Sequence, residues 1–228
     1  MSKPAITEQM NKKILILDGA MGTMLQNAGL TADDFGGEKY EGCNEHLNLT
    51  APELIESIHL EYLKAGADII ETNTFGATRI VLDDYDLGEK AYEINKAAAN
   101  IAKRAAERMS TPSWPRYVAG AMGPTTKSLS ITGGTTFSEL AACYEEQALG
   151  LIDGGVDLLL LETSQDLLNV KAGFLGIQRA FEKRNVKLPL MLSATIEPMG
   201  TTLSGQSIEA FYISVEHMNP IAIGLNCA

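Results

Sequence analysis

The stretch Gly155-Val-Asp-Leu-Leu-Leu-Leu-Glu-Thr163 decides the fold class, and a shorter copy of it, Gly66-Ala-Asp-Ile-Ile-Glu-Thr72, lies earlier in the chain. In both stretches a glycine that can end a helix is followed by an aspartate, an uninterrupted apolar run and a Glu-Thr pair. An uninterrupted apolar run is typical of a parallel strand that is buried on both faces. The two copies therefore predict buried strands that each carry a carboxylate to the C-terminal end.

Six apolar runs of this kind alternate with segments of helical periodicity. The predicted strands cover residues 14–18, 68–71, 117–121, 158–162, 188–195 and 221–226. Strict alternation of strand and helix predicts a parallel sheet, which is either an open doubly wound sheet or a (β/α)8 barrel. No proline-rich or low-complexity linker interrupts the alternation, so we interpret residues 1–228 as one domain.

The segments between the strands carry helix start and stop signals. Thr50-Ala-Pro-Glu53 and Thr136-Phe-Ser-Glu139 have the Thr-x-x-Glu spacing of a capping box. Apolar residues at alternating spacings of three and four predict an amphipathic helix over residues 167–181, and an alanine-rich stretch predicts the longest helix over 89–109.

Polar residues at the predicted strand ends distinguish between the two folds. Asp18, Glu71, Glu162, Thr195 and Asn226 all lie at or close to the C-terminal end of a predicted strand. A barrel gathers all its strand ends around one opening, whereas an open sheet concentrates ligand-binding residues at a single switch point. The sequence therefore favours a (β/α)8 barrel. Because six strands are predicted, we expect about six of the eight βα units, with the C-terminal units missing.

Composition excludes several classes of function. Lysine and arginine number 18 against 29 aspartates and glutamates, which gives a formal net charge of −11. So acidic a surface repels nucleic acid and anionic membranes. The N-terminal residues lack the apolar region of a signal peptide, and an odd number of widely spaced cysteines does not suggest a disulfide framework. We therefore expect a cytoplasmic protein that binds neither nucleic acid nor membrane.

Three strand ends carry candidate chemistry. Cys227 is either a small apolar side chain of a buried strand or, beside polar Asn226, a thiolate ligand or nucleophile. Asp18 opens a glycine-rich segment that is either a common turn or a backbone able to approach a ligand closely. Glu162 follows four leucines, where an unpaired carboxylate is costly. A positively charged ligand group would satisfy both Glu162 and Asp18, unless one of them only binds backbone N–H groups and shapes a loop.

Six motifs, taken in order, are similar to those of the homocysteine S-methyltransferase family, and within it to the homocysteine-binding domain of cobalamin-dependent methionine synthases. The resemblance runs from about residue 12 to the end of the chain. The motifs are Asp18-Gly-Ala-Met-Gly-Thr23, Gly66-Ala-Asp-Ile-Ile-Glu-Thr-Asn-Thr-Phe75, Gly120-Ala-Met-Gly-Pro124, Leu160-Leu-Glu-Thr163, Thr202-Leu-Ser-Gly205 and Gly224-Leu-Asn-Cys227.

The resemblance implies a (β/α)8 barrel and a set of site residues. Cys227 matches the first zinc-binding cysteine, and the other two ligands of the family lie in a segment that this sequence does not contain. Asp18 and Gly19 match the loop that holds the amino acid part of homocysteine, and Glu162 matches the carboxylate that pairs with its amino group. Glu71 matches a position at the rim for which the resemblance implies no particular contact.

The resemblance also implies a reaction. Zinc deprotonates the homocysteine thiol, and the thiolate takes a methyl group from methylcobalamin, which gives methionine. The cobalamin is then remethylated by 5-methyltetrahydrofolate. Cobalamin- and folate-binding domains of the same polypeptide supply the donor, and no catalytic residue beyond the zinc-activated substrate thiol is implied. Cys43 and Cys143 match no ligand position. With the zinc site incomplete, the fragment alone is expected to be inactive.

Two alternatives remain open. The chain could belong to a stand-alone homocysteine methyltransferase that uses betaine or S-methylmethionine, although Glu71-Thr-Asn-Thr-Phe-Gly76 is closer to the cobalamin-dependent branch, since betaine-type relatives tend to carry tyrosine at the position of Gly76. It could also be an inactive part of a barrel. In either case, a barrel that is not closed exposes strand edges, through which the chain could self-associate.

Overall fold

Strands and helices alternate along residues 3–227, the part of the chain that the computed structural model describes. Five parallel strands form one sheet: β1 Ile69–Glu71, β2 Tyr117–Met122, β3 Leu158–Ser164, β4 Leu190–Ala194 and β5 Ala222–Leu225. The α-helices are α1 Ile6–Met10, α2 Met21–Asn27, α3 Leu47–Thr50, α4 Pro52–Ala65, α5 Arg79–Leu82, α6 Ala91–Met109, α7 Phe137–Asp153, α8 Leu167–Arg184 and α9 Ile208–Val215. Short 3-10 helices cover Glu38–Tyr40, Asn44–His46, Asp83–Tyr85, Gly88–Lys90 and Glu216–Met218.

The sheet follows the order of the strands in the sequence, β1-β2-β3-β4-β5, and every pair is parallel. A doubly wound sheet would reverse its strand order at a switch point. Sequential order without a reversal is the order of a (β/α)8 barrel, of which these strands form a part. The predicted fold class is confirmed.

The first predicted strand is wrong in part. Residues 14–18 form a single parallel bridge, between Leu17 and Ile69, instead of a full strand. Hydrogen bonds on this side are nevertheless regular, with Asp68 N to Ile16 O at 2.8 Å and Asp18 N to Ile69 O at 2.9 Å. Ile14 and Ile16 are 88% and 55% exposed, because no described segment covers their side of the chain. The sheet thus has five strands and one bridged segment in place of the six predicted strands.

The two predicted capping boxes differ in outcome. At the start of α7, Thr136 Oγ1 accepts a hydrogen bond from Glu139 N at 3.2 Å, and Glu139 Oε2 accepts one from Thr136 N at 2.8 Å, which confirms the box. Thr50 does not cap α4, because it is the last residue of α3 and its hydroxyl donates to His46 O. Pro52 begins α4 without a side-chain cap.

Alternation along the strands divides the core into two layers. Ile69, Tyr117, Leu158 and Leu160 face the inside of the curved sheet and form one apolar cluster. Their neighbours in the sequence face outward and pack under the helices in a second, larger cluster. Ile6 of α1 is 3% exposed and belongs to the inner cluster, so the N-terminal segment closes the amino end of the sheet.

In residues 3–227, no helix combines the length and the apolar character that crossing a lipid bilayer requires.

Candidate functional site

Three carboxylates meet at the carboxyl end of the sheet, which we call the mouth. Glu71 ends β1 and has the same strand parity as inward-facing Ile69, and Glu162 has the same parity as Leu158 and Leu160. Strand alternation therefore directs both glutamates toward the inside. Asp18 follows the bridged segment next to β1 and joins them.

The electrostatics of the mouth are unbalanced. Burial raises the pKa of Asp18 to about 7, and the charge of Glu162 contributes to the rise. Burial, followed by the charges of Glu162 and Asp18, raises the pKa of Glu71 to about 8. Burial also raises the pKa of Glu162, whose residue is 7% exposed. Among the described residues, no lysine, arginine or histidine forms an ion pair with any of the three.

Asp18 combines the two roles that its sequence context left open. Both of its carboxylate oxygens accept the backbone N–H of Glu71 at 3.1 Å, so the side chain joins the bridged segment to β1. The carboxylate nevertheless lies close enough to Glu162 for the two charges to interact. Asp18 therefore shapes the loop and also contributes negative charge to the mouth.

The backbone after Asp18 is open on one side. Gly19 is exposed, and a Cβ atom at this position would lie 3.0 Å from Tyr62 Cε1 on its other side. The Tyr62 hydroxyl donates to Ala20 O at 3.2 Å and fixes the loop against α4. A Cβ atom here would be in tight contact with the Tyr62 ring, so glycine suits a loop that lies this close to α4.

Glu162 is held by the residues around the end of β3. Its Oε2 accepts hydrogen bonds from Thr163 Oγ1 at 3.3 Å and from Asn226 Nδ2 at 3.2 Å. Thr163 is buried and has a φ of 55°, a conformation that a β-branched residue rarely adopts and that coincides with a shift in the β3–β4 register. Strained backbone of this kind is concentrated at functional sites.

Cys227 follows β5 at the same mouth. It is exposed, which contradicts the interpretation of Cys227 as a buried apolar side chain. Its Sγ lies 3.9 Å from Thr163 Oγ1 and 3.6 Å from Asn226 Nδ2. Cys43 and Cys143 are buried elsewhere, and burial raises the pKa of both thiols. In the described part of the chain, no three histidine, cysteine, aspartate or glutamate side chains are placed to hold a metal ion.

A cavity of about 100 Å³ adjoins Glu162 and is covered by the loop that follows β2. Asp166 anchors this loop: its carboxylate accepts hydrogen bonds from Ser128 Oγ at 2.5 Å and from Ser130 N at 2.7 Å. The same carboxylate accepts Leu168 N and caps α8. The loop and the start of α8 are therefore joined into one continuous wall beside Glu162.

The structure adds residues that the sequence did not assign to the site. Thr163, Ser193 and Asn226 form a hydrogen-bonded group around Glu162, and Asp166 supports the wall. The position of Asp166, just before an apolar stripe, is a recognisable N-cap signal. The grouping of the other three has no local signal, because it depends on the register between β3, β4 and β5.

Comparison with known proteins gives consistent results. The profile of the family described as homocysteine S-methyltransferase matches residues 15–228. A methionine synthase of Mycobacterium leprae (strain TN) is 45% identical over 223 residues, which cover 98% of this chain and 18% of that protein. The chain thus spans less than a fifth of the length of this relative.

Solved structures agree on the fold. The oxidized and metallated forms of the homocysteine methyltransferase MmuM from Escherichia coli superpose with TM-scores of 0.78 and 0.79 at 23% and 22% identity. The superpositions cover 96% of this chain and 75% and 77% of the respective MmuM chains. The arrangement of strands, the family profile and the 45% identical relative all agree with the resemblance seen in the sequence: the chain belongs to the homocysteine S-methyltransferase family.

Proposed function

We propose that this chain binds and activates homocysteine as a module of a methionine synthase, a cytoplasmic methyltransferase of methionine biosynthesis. The observation that carries the proposal is the mouth itself, where three carboxylates that have no cationic partner among residues 3–227 lie beside an exposed cysteine thiol. Homocysteine carries an ammonium group and a thiol, which are the two groups that such a mouth can receive.

The free oxygens of the mouth support recognition of the ammonium group. Within residues 3–227, both hydrogen bonds to the Glu162 side chain end on Oε2, and the side chain of Glu71 accepts none. Glu162 Oε1 and the Glu71 carboxylate are therefore available to N–H donors of a ligand. A bound ammonium group would also favour the charged form of both carboxylates, against the burial that raises their pKa values and, for Glu71, against the added charges of Glu162 and Asp18.

Asp18 and Gly19 complete the proposed substrate site. The backbone N–H of Glu71 in β1 holds the Asp18 carboxylate in place, so its negative charge has a fixed position in the mouth. The open backbone at Gly19 allows the amino acid part of a substrate to approach closely. This segment would orient the substrate, while Glu162 would bind its amino group.

Cys227 is proposed as one ligand of a zinc ion. The described residues fit such a site only in part, because they offer a single exposed thiol, and catalytic zinc sites have three protein ligands. The remaining ligands would come from other parts of the enzyme. Zinc, when bound, deprotonates a coordinated thiol, which is the reactive form of homocysteine.

The methyl donor is proposed to be cobalamin, recharged from 5-methyltetrahydrofolate by other domains of the same polypeptide. The 45% identical relative is a methionine synthase of which this chain spans 18%, which leaves room for such domains. Gly76 adds support, since betaine-type relatives tend to carry tyrosine here: a Cβ atom at this position would lie 2.9 Å from Glu45 Oε1 and 3.2 Å from Val81 Cγ1, so a larger side chain would have to displace these neighbours. A donor other than betaine is therefore favoured.

Replacement of Glu162 tests the proposal. In the zinc-loaded complete enzyme, Glu162→Gln should weaken homocysteine binding by roughly ten- to a hundredfold, the loss of one charge-assisted hydrogen bond. Binding of 4-mercaptobutanoate, which differs from homocysteine only in lacking the amino group, should change less than about twofold. Calorimetry with both ligands measures the difference.

Glu107→Gln, on the exposed surface of α6, is the matched control and should affect neither ligand. An equal loss for both ligands in Glu162→Gln would contradict the assignment, since Glu162 would then support the fold or the metal instead of the ammonium group.

A further inference from the structure

Asn226 connects three neighbouring strand ends. Its Nδ2 donates to Glu162 Oε2 at 3.2 Å and to Thr163 Oγ1 at 2.7 Å. Its Oδ1 accepts hydrogen bonds from Thr163 N at 3.2 Å and from Ser193 Oγ at 3.0 Å. A single amide thereby joins the end of β5 to the ends of β3 and β4, and both of its polar atoms are used.

The position of this amide follows from the sheet. Asn226 has the same strand parity as Ala222 and Gly224, which pair with Met191 and Ser193 of β4. Its own backbone N–H donates to Ala194 O at 3.1 Å, so β5 continues in register to the mouth. The register places Asn226 on the inner face beside Ser193, one residue before Cys227.

The amide also explains how Thr163 is held. A buried threonine at φ 55° is strained and persists only where its surroundings fix it. The Thr163 N–H points to Asn226 Oδ1 and Ser193 Oγ, and the Thr163 hydroxyl lies within hydrogen-bond distance of Asn226 Nδ2 and Glu162 Oε2. Asn226 therefore contacts Glu162 directly and also through the residue next to it.

We propose that Asn226 is a positioning residue that holds the Glu162 carboxylate toward the mouth, with Oε2 engaged and Oε1 free for the substrate ammonium group. The inference rests on the proposed role of Glu162 in binding homocysteine. An amide serves here because it donates to a carboxylate and a hydroxyl with one atom while it accepts a backbone N–H with the other. A carboxylate at this position would repel Glu162, and a hydroxyl cannot span the three strand ends.

The test compares homocysteine with 4-mercaptobutanoate in the zinc-loaded complete enzyme by calorimetry. Asn226→Ser should weaken homocysteine binding by about five- to tenfold and leave 4-mercaptobutanoate within about twofold. The second ligand still carries the thiol, so its unchanged binding shows that the Cys227 end of the strand is intact. Asn95→Ser, which removes a buried amide of α6 that donates to Ala77 O and Ala91 O and not to a carboxylate of the mouth, controls for loss of stability and should preserve the preference for homocysteine.

A double variant separates this inference from the proposed function. If Asn226 acts through Glu162, Asn226→Ser in a Glu162→Gln background should cause no further amine-specific loss. If Glu162→Gln shows the loss and Asn226→Ser does not, the positioning role is wrong and the substrate site stands. If Glu162→Gln shows no amine-specific loss, the substrate site itself is wrong.

Ser193→Ala keeps the test decisive should Asn226→Ser fail to fold. It removes only the hydroxyl that donates to Asn226 Oδ1, and it should reduce the preference for homocysteine by about two- to threefold. An unchanged preference in this variant would overturn the inference.

Discussion

The carboxylates at the two ends of the sheet have opposite electrostatic surroundings. At the amino end, Asp68 accepts hydrogen bonds from Lys13 Nζ at 2.6 Å, Ile16 N at 3.0 Å and Trp114 Nε1 at 2.6 Å. Although burial favours its protonated form, these bonds hold the pKa of Asp68 below its ordinary value. At the mouth, burial and neighbouring charges raise the pKa of Glu71 to about 8.

The contrast is repeated in the second copy of the motif. Asp157 accepts Lys3 Nζ at 2.5 Å, Lys103 Nζ at 3.0 Å and Val118 N at 2.8 Å, whereas Glu162 has no ion-pair partner within the described residues. Within the described residues, each copy thus begins with a carboxylate that has a lysine partner and ends with one that has no cationic partner. The first kind stabilises the fold, and the second kind is available to a ligand.

Removing one carboxylate from each end of the sheet should have the largest effect and tests the difference between the two ends most directly. Asp68→Ala leaves three donors without an acceptor, and we expect it to lower the free energy of unfolding by roughly 3 kcal/mol. Glu71→Ala removes a carboxylate that accepts no hydrogen bond within the described residues, and it should cost less than about 1 kcal/mol or be stabilising. Urea unfolding of the chain measures both. Equal losses would contradict the division of roles.

The pH dependence of stability should carry the opposite sign at the two ends. Unfolded carboxyl groups ionise near pH 4, but Asp18 and Glu71 ionise near 7 and 8 in the folded chain. Between these values the folded state binds more protons, so the free energy of unfolding falls as pH rises from about 4 to about 8. Because a tenfold change in proton affinity corresponds to about 1.4 kcal/mol, we expect a decrease of several kcal/mol without ligand.

The double variant Asp18→Asn/Glu71→Gln should abolish most of this decrease. Asp68 contributes in the other direction, because its lowered pKa adds stability that is lost only as pH falls below about 4. Unfolding curves collected from pH 4 to pH 9 would refute the prediction if wild type became more stable with rising pH.

Of the three partners of Asp68, Lys13 should contribute least to the free energy of unfolding. The Lys13 side chain is 44% exposed, so Lys13→Ala should lower the free energy of unfolding by about 1 kcal/mol or less. Lys12→Ala, at an exposed neighbouring position, is the control and should have no measurable effect. A loss in Lys13→Ala as large as that in Asp68→Ala would mean that the ion pair, and not the buried hydrogen bonds, stabilises the amino end.

The sequence predicted where strands end better than it predicted which residues of other strands contact those ends. Glu162 was identifiable because four leucines fix both the strand and the point where it ends, and Thr136 because a capping box involves only four consecutive residues. Asn226 acquires its role from strands β3 and β4, more than 30 residues away in the chain. The positive φ of Thr163 has no local signal either, since threonine does not favour it.

The same reasoning explains the two errors. Residues 14–18 have the composition of a buried strand, but only Leu17 pairs in register with β1 and Ile14 and Ile16 remain exposed, so the segment forms a bridge instead of a strand. Thr50 has the spacing of a cap, but α3 already includes it, and its hydroxyl is turned back to His46 O. Both patterns describe a local preference that the surrounding chain overrides.

The closure of the amino end by the N-terminal segment sets an order of events for folding. Ile6 belongs to the same apolar cluster as Leu158 and Leu160, and the Tyr117 hydroxyl donates to Pro4 O, a bond between residues 113 positions apart. The segment that contains Pro4 and Ile6 therefore lacks its packing surface until β3 has been synthesised. Contacts of such long range form late, so this segment is among the last to be secured.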